Sequence, residues 1–173
     1  MIRLLRPRAW LALPLIACAL GGGIAVADPL HPIHGSTTWR HEFSGWLFPA
    51  QVAGLTREGT PYQLDGGDDA GARYTTHGTP GCTLLLDVLT GARLDAPIGG
   101  SEFALQGAPA IHGLRAGVPG GTGSTILYVF TLQDWTVRII ATAPLADEKT
   151  ARALDDAVRA LPWQSLGAAE RLH

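Results

Sequence analysis

The chain has 173 residues, 46% of them hydrophobic and 16% charged, with 13 lysines and arginines against 15 aspartates and glutamates for a formal net charge of −2. This length suits one ordinary domain that needs neither metal nor disulfide to be stable, and the absence of any basic run argues against nucleic acid or anionic lipid as partner.

The first segment carries Arg3, Arg6 and Arg8, then no charge across residues 9–27, then Ala25-Val26-Ala27 before Asp28. A basic start, an apolar middle and small residues at the −3 and −1 positions are what the export machinery and signal peptidase read, so residues 1–27 are expected to be a signal peptide. Leu15-Ile16-Ala17-Cys18 also fits a lipobox, in which Cys18 is lipidated and becomes the new N-terminus. Cleavage after Ala27 is favoured, because apolar, Gly-rich sequence follows Cys18 where a lipoprotein has a polar tether. An uncleaved anchor is the third reading, since the apolar run is at the lower limit for spanning a bilayer. The expected address is the periplasm or cell envelope of a bacterium, with the membrane touched only through the signal or a lipid anchor. Cleavage removes three of the thirteen basic residues and none of the fifteen acidic ones, leaving a mildly acidic body of 146 residues. Cys82 is then left alone, and is expected to be buried.

Residues 28–36 hold two prolines and two histidines without periodicity and read as an N-terminal arm. A single α+β domain is expected over 37–163, with a tail at 164–173. Residues 38–43 alternate, with Trp39, His41 and Phe43 on one side and Arg40 and Glu42 on the other, a half-buried strand pattern. Residues 72–89 read as a hairpin, with residues 82–89 apolar enough for a core strand. The stretch 99–123, rich in Gly and Pro, offers only 101–106 as a short helix or strand. A second hairpin is expected where the β-branched and aromatic run 124–132 meets Gln133-Asp134 and then the alternating residues 135–142. Trp135, Val137, Ile139 and Ala141 face one way there, and Thr136, Arg138 and Thr142 the other.

The last element reads as a helix from an Asp147 N-cap to Leu161, stopped by Pro162. Leu154, Val158 and Leu161 form an apolar stripe, and Glu148–Arg152 and Asp155–Arg159 sit at i, i+4 spacing on the other side. One stripe implies one sheet to lie against, so the expected architecture is an antiparallel sheet of about five or six strands covered on one face by the C-terminal helix.

Chemistry is sparse. His31, His34 and His41 are candidate metal ligands, since neighbouring imidazoles suit Zn, Cu and Ni, although their spacing fits no closed zinc pattern. Asp65, Asp68 and Asp69 lie in a Gly-rich loop, but the twelfth position of a calcium loop would fall on Thr76, so a solvated acidic turn is expected. The Gly-rich residues 117–125 lack a phosphate-loop lysine. A hydrolase would have to draw on His77 or His112 with Asp87 or Asp95, with no nucleophile elbow to support it. Trp39, Phe43, Trp46 and Phe48 are the candidate ligand groove, because clustered aromatics offer large contact area with a polar handle. No cofactor is implied, and the partner is expected to be another envelope protein or a small ligand.

Phe48-Pro49-Ala50-Gln51-Val52-Ala53-Gly54-Leu55-Thr56-Arg57, followed by Tyr62, resembles the opening of a group of uncharacterised secreted bacterial proteins. In these a Phe-Pro-x-x-x-Gly-Phe-x-Arg stretch precedes a tyrosine-containing strand and a hairpin. The order of hairpin and helix over residues 125–161 is similar to the Mog1/PsbP-like fold, a curved antiparallel sheet between helices. The resemblance covers about half of the mature chain and departs at 99–123, where a long helix would be expected. It implies an accessory or binding module and carries over no catalytic residue.

Overall fold

The computed structural model describes residues 28–64, 68–76, 81–91, 99–108, 111–119, 123–144 and 148–168. Residues 1–27 with Cys18, and also Asp65, His77, Asp95 and Asp147, lie outside these residues.

The two hairpins anticipated from the sequence form the centre of the fold. Strand β7 (Ala70–Thr75) pairs antiparallel with β8 (Thr83–Thr90), and β11 (Ser124–Leu132) pairs with β12 (Trp135–Ala143) around the Gln133-Asp134 turn. Strand β8 pairs in turn with β12. The sheet extends outward through β5 (Leu55–Arg57) and β4 (Gln51–Val52) on one side and β10 (His112–Val118) and β9 (Ser101–Glu102) on the other, while β6 (Tyr62–Gln63) also pairs with β7. Among the described residues the result is a nine-stranded antiparallel sheet, wider than the five or six strands expected. A separate three-stranded sheet runs β1 (Leu30–Pro32), β2 (Trp39–His41), β3 (Leu47–Phe48). Thus residues 28–36 are not simply an arm: Leu30 is buried and pairs with His41.

Period-two alternation sends Leu84, Leu86, Val88, Val137, Ile139, Ala141, Tyr128 and Phe130 to one face of the large sheet, all nearly inaccessible. Helix α1 (Glu148–Arg159) lies against that face through Leu154, Ala157 and Val158. The fold is therefore α+β, a mostly antiparallel sheet with one C-terminal helix. Glu148 and Arg152 pair as expected, but Asp155 turns inward, its Oδ1 accepting from Arg115 Nε at 2.9 Å and from the Tyr128 hydroxyl at 2.5 Å. Arg159 is left to Asp156, 3.3 Å away on the surface. The inward turn follows from the sheet, which presents Arg115 and Tyr128 side by side beneath the helix. Residues 163–168 are packed rather than trailing. A 3₁₀ turn over Trp163–Ser165 buries Trp163 and Leu166 in the core, and Gly167 donates its N–H to the Ser44 carbonyl.

Strand β10 has little sequence signal because one of its glycines, Gly113, serves packing. A Cβ on Gly113 would lie 2.5 Å from the Phe103 carbonyl oxygen and from the Phe130 ring, so only glycine lets β10 approach. The Phe48–Arg57 stretch is a structural brace. Ala53 and Gly54, with φ of 45° and 82°, make the two-residue turn between β4 and β5. Arg57 donates to the carbonyls of Phe48, Thr37 and Gly59, lacing this hairpin to the small sheet. No helix among the described residues is long and apolar enough to cross a membrane.

Candidate functional site

The small sheet is two-faced. On one face the cross-strand rows are Leu30–His41 and Pro32–Trp39–Phe48; on the other the row is His31–Arg40–Leu47. The first face closes the end of the hydrophobic core. Trp46 and Phe48 are fully buried there, Trp39 is half-buried against them, and Phe43 stands out of the strand, 44% exposed. Trp46 and Phe48 therefore close the core instead of lining a groove, because burying their area stabilises the core more than leaving it open to a ligand would.

The hollow lies on the other face. A cleft of about 520 Å³ opens between Arg40 and Leu47 of the small sheet, Gln106 and Ala108 beyond β9, and the chain leaving α1 from Arg159 to Ala168. Its size falls within the range of small-ligand sites. The frame is fixed by groups already committed. Ser165 Oγ donates to the Pro162 carbonyl at 2.7 Å and accepts the Leu47 N–H at 3.1 Å, tying β3 to the 3₁₀ turn. Trp163 donates its indole N–H to the Val158 carbonyl at 2.8 Å and packs on Phe130 and Trp46, so it offers the cleft ring surface. Among the described residues the polar ends with hydrogen-bonding capacity to spare are those of Arg40, Gln106 and Gln164, and that of Arg159 beyond its contact with Asp156. Arg40 makes no ion pair among the described residues, and Arg159 lies 4.6 Å over the Phe103 ring while touching Asp156 only at the surface.

No family model, curated protein or solved structure matches this chain. Function must be read from the cleft itself.

The histidines expected to share a metal do not meet. His31 and His41 occupy opposite faces of the β1–β2 ladder, and His34 is exposed in the turn between the strands. Among the described residues no group of three or more His, Cys, Asp or Glu side chains gathers as a metal site. His41 is instead a core residue. Its Nδ1 is 2.8 Å from Ser44 Oγ, its ring meets Trp135 edge-on, and burial, opposed by Asp69, Asp68 and Glu42, lowers its pKa from 6.5 to about 4. His112 and Asp87 cannot pair, since β10 and β8 are three strand spacings apart, roughly 14 Å. Asp87 is engaged by Arg138 and Tyr62, and that burial and that carboxylate push the Tyr62 phenol up to about 12. Asp69 is no solvated acid, being 3% exposed and accepting from both the N–H and the hydroxyl of Thr90. Cys82 is half-buried and packs against the core.

Sequence reasoning missed Gln106, Arg159, Trp163 and Gln164 because the cleft is drawn from separated segments with no shared motif. The one legible signal was the alternation that set Arg40 apart from Trp39 and His41.

Proposed function

We propose that this is an exported envelope protein acting as a non-catalytic binding module, and that it holds a small ligand in the cleft between the small sheet and the turn after α1. The observation that carries the reading is the cleft's combination of size, mixed lining and a frame pinned by Ser165 and Trp163. A site with apolar walls and a few unengaged polar ends is suited to recognition. Export is supported by the leader, with cleavage after Ala27 as the favoured processing and lipidation at Cys18 as its rival. The Mog1/PsbP-like fold is the finer assignment we propose within the α+β class, supported by the order of hairpin and helix over residues 125–161.

Two experiments test this. Intact mass of the protein recovered from the envelope fraction distinguishes a chain beginning at Asp28 from a diacylated one beginning at Cys18; full-length protein in the cytosol would overturn export. For the cleft, a thermal-shift screen of small amphiphiles is repeated on Gln164→Trp, a bulky change at an exposed lining position. Ligands that raise Tm in the parent and not in the variant support the site; ligands that act equally on both place binding elsewhere.

A further inference from the structure

We infer that the cleft selects organic anions, taking a carboxylate or phosphate head at Arg40 and Arg159 and an apolar body along Leu47, Leu161 and Trp163. This rests on the binding role proposed above and goes further in naming the ligand class. Three observations carry it. Among the described residues the lining contains two arginines and no aspartate or glutamate, although acidic residues outnumber basic ones in the chain as a whole. A cleft positive within an acidic body concentrates anions against the mean field of the protein. Next, both guanidiniums have hydrogen-bonding capacity to spare. Arg40 has no ion-pair partner among the described residues, and the Arg159–Asp156 contact joins side chains 41% and 75% exposed, a pair that water screens heavily. Stacking over Phe103 restrains Arg159, so little freedom is lost when it takes a ligand.

The third observation is the division of the walls. Arginine forks match the paired oxygens of carboxylate and phosphate, Gln106 and Gln164 add amide donors, and the Trp163 ring with Leu47 and Leu161 forms an apolar strip. A simple inorganic anion would leave that strip wet, and a neutral lipid would cover the Arg40 guanidinium without giving it a partner. An amphipathic anion satisfies both.

The test uses the protein expressed with its own leader and recovered in whichever form the cell leaves it. Calorimetric titrations with decanoate, decyl phosphate, decanol and decyltrimethylammonium, each below its aggregation concentration, are compared for the parent, Arg40→Gln, Arg159→Gln and the double variant. The expected result is binding of both anions, loss of about tenfold in affinity per arginine removed, and no binding of the cation. Should a variant fold poorly, the parent alone decides, since decanoate binding must weaken with added salt while decanol binding does not. Equal affinity for decanoate and decanol, both lost in Gln164→Trp, overturns the anion assignment and leaves the binding role standing. Silence from all four probes overturns both. Sedimentation with phosphatidylglycerol vesicles identifies the source of the anion: arginine-dependent co-sedimentation means a lipid headgroup, and its absence beside decanoate binding means a free molecule.

Discussion

Arg138 and Asp87 face each other across β12 and β8, with Nε 3.0 Å and Nη2 2.5 Å from the same carboxylate oxygen. The other oxygen accepts the Tyr62 hydroxyl at 3.2 Å. The Asp87 side chain is 2% exposed while that of Arg138 is 34% exposed, so the carboxylate depends on its partners and the guanidinium keeps some water. Arg138→Ala should therefore destabilise by about 3 kcal/mol and Tyr62→Phe by about 1 kcal/mol, read from urea unfolding midpoints. An Arg138→Ala loss below that of Tyr62→Phe would contradict this ordering.

Buried His41 makes stability depend on pH. In the unfolded chain its imidazole takes a proton below pH 6.5; in the folded chain it does so only near pH 4. Between those values the unfolded state holds more protons, so stability falls as pH drops from 6.5 to 4 and the loss levels off below that, at about 3 kcal/mol. His41→Gln should flatten this part of the profile. The measurement is unfolding free energy at pH 7.5 and 4.5 in both proteins. Identical losses would assign the slope to other groups.

Two glycines of one strand should respond differently to the same change. Gly113→Ala drives a methyl into the Phe103 carbonyl and the Phe130 ring and should cost about 2 kcal/mol or more. Gly117 has nothing within 4 Å of where its Cβ would be, so Gly117→Ala should stay within about 0.5 kcal/mol of the parent. Thermal unfolding of the pair checks whether close approach is the reason for glycine at 113.

Neighbouring aspartates on α1 are likewise unequal. Asp155→Ala removes the acceptor shared by Arg115 and the fully buried Tyr128, and should cost about 2 kcal/mol. Asp156→Ala touches only an exposed pair and should change stability by less than about 0.5 kcal/mol. Equal effects would show that the inward contact contributes nothing to the seating of the helix.

Local pattern revealed the parts of the fold whose stability is local or whose faces differ sharply. Hairpin β7–β8 was legible from an apolar run beside a turn, and hairpin β11–β12 and the stripe on α1 because alternation and the 3.6-residue period follow from backbone geometry alone. Strand β10 was hidden, since a strand that must approach Phe103 and Phe130 closely uses glycine where a readable strand would use valine. The short strands β1, β3, β4 and β9 carry two or three residues each, too few to show a period.

The sequence by itself determined the class of the fold: two hairpins and one amphipathic helix, all consequences of neighbouring residues acting together. Tertiary structure decided where those pieces leave a hollow. Whether an aromatic side chain closes a core or lines a cleft depends on which surface its strand meets, so Trp46 and Phe48 went inside, and the cleft formed on the opposite face from Arg40, Leu47 and a turn more than a hundred residues away.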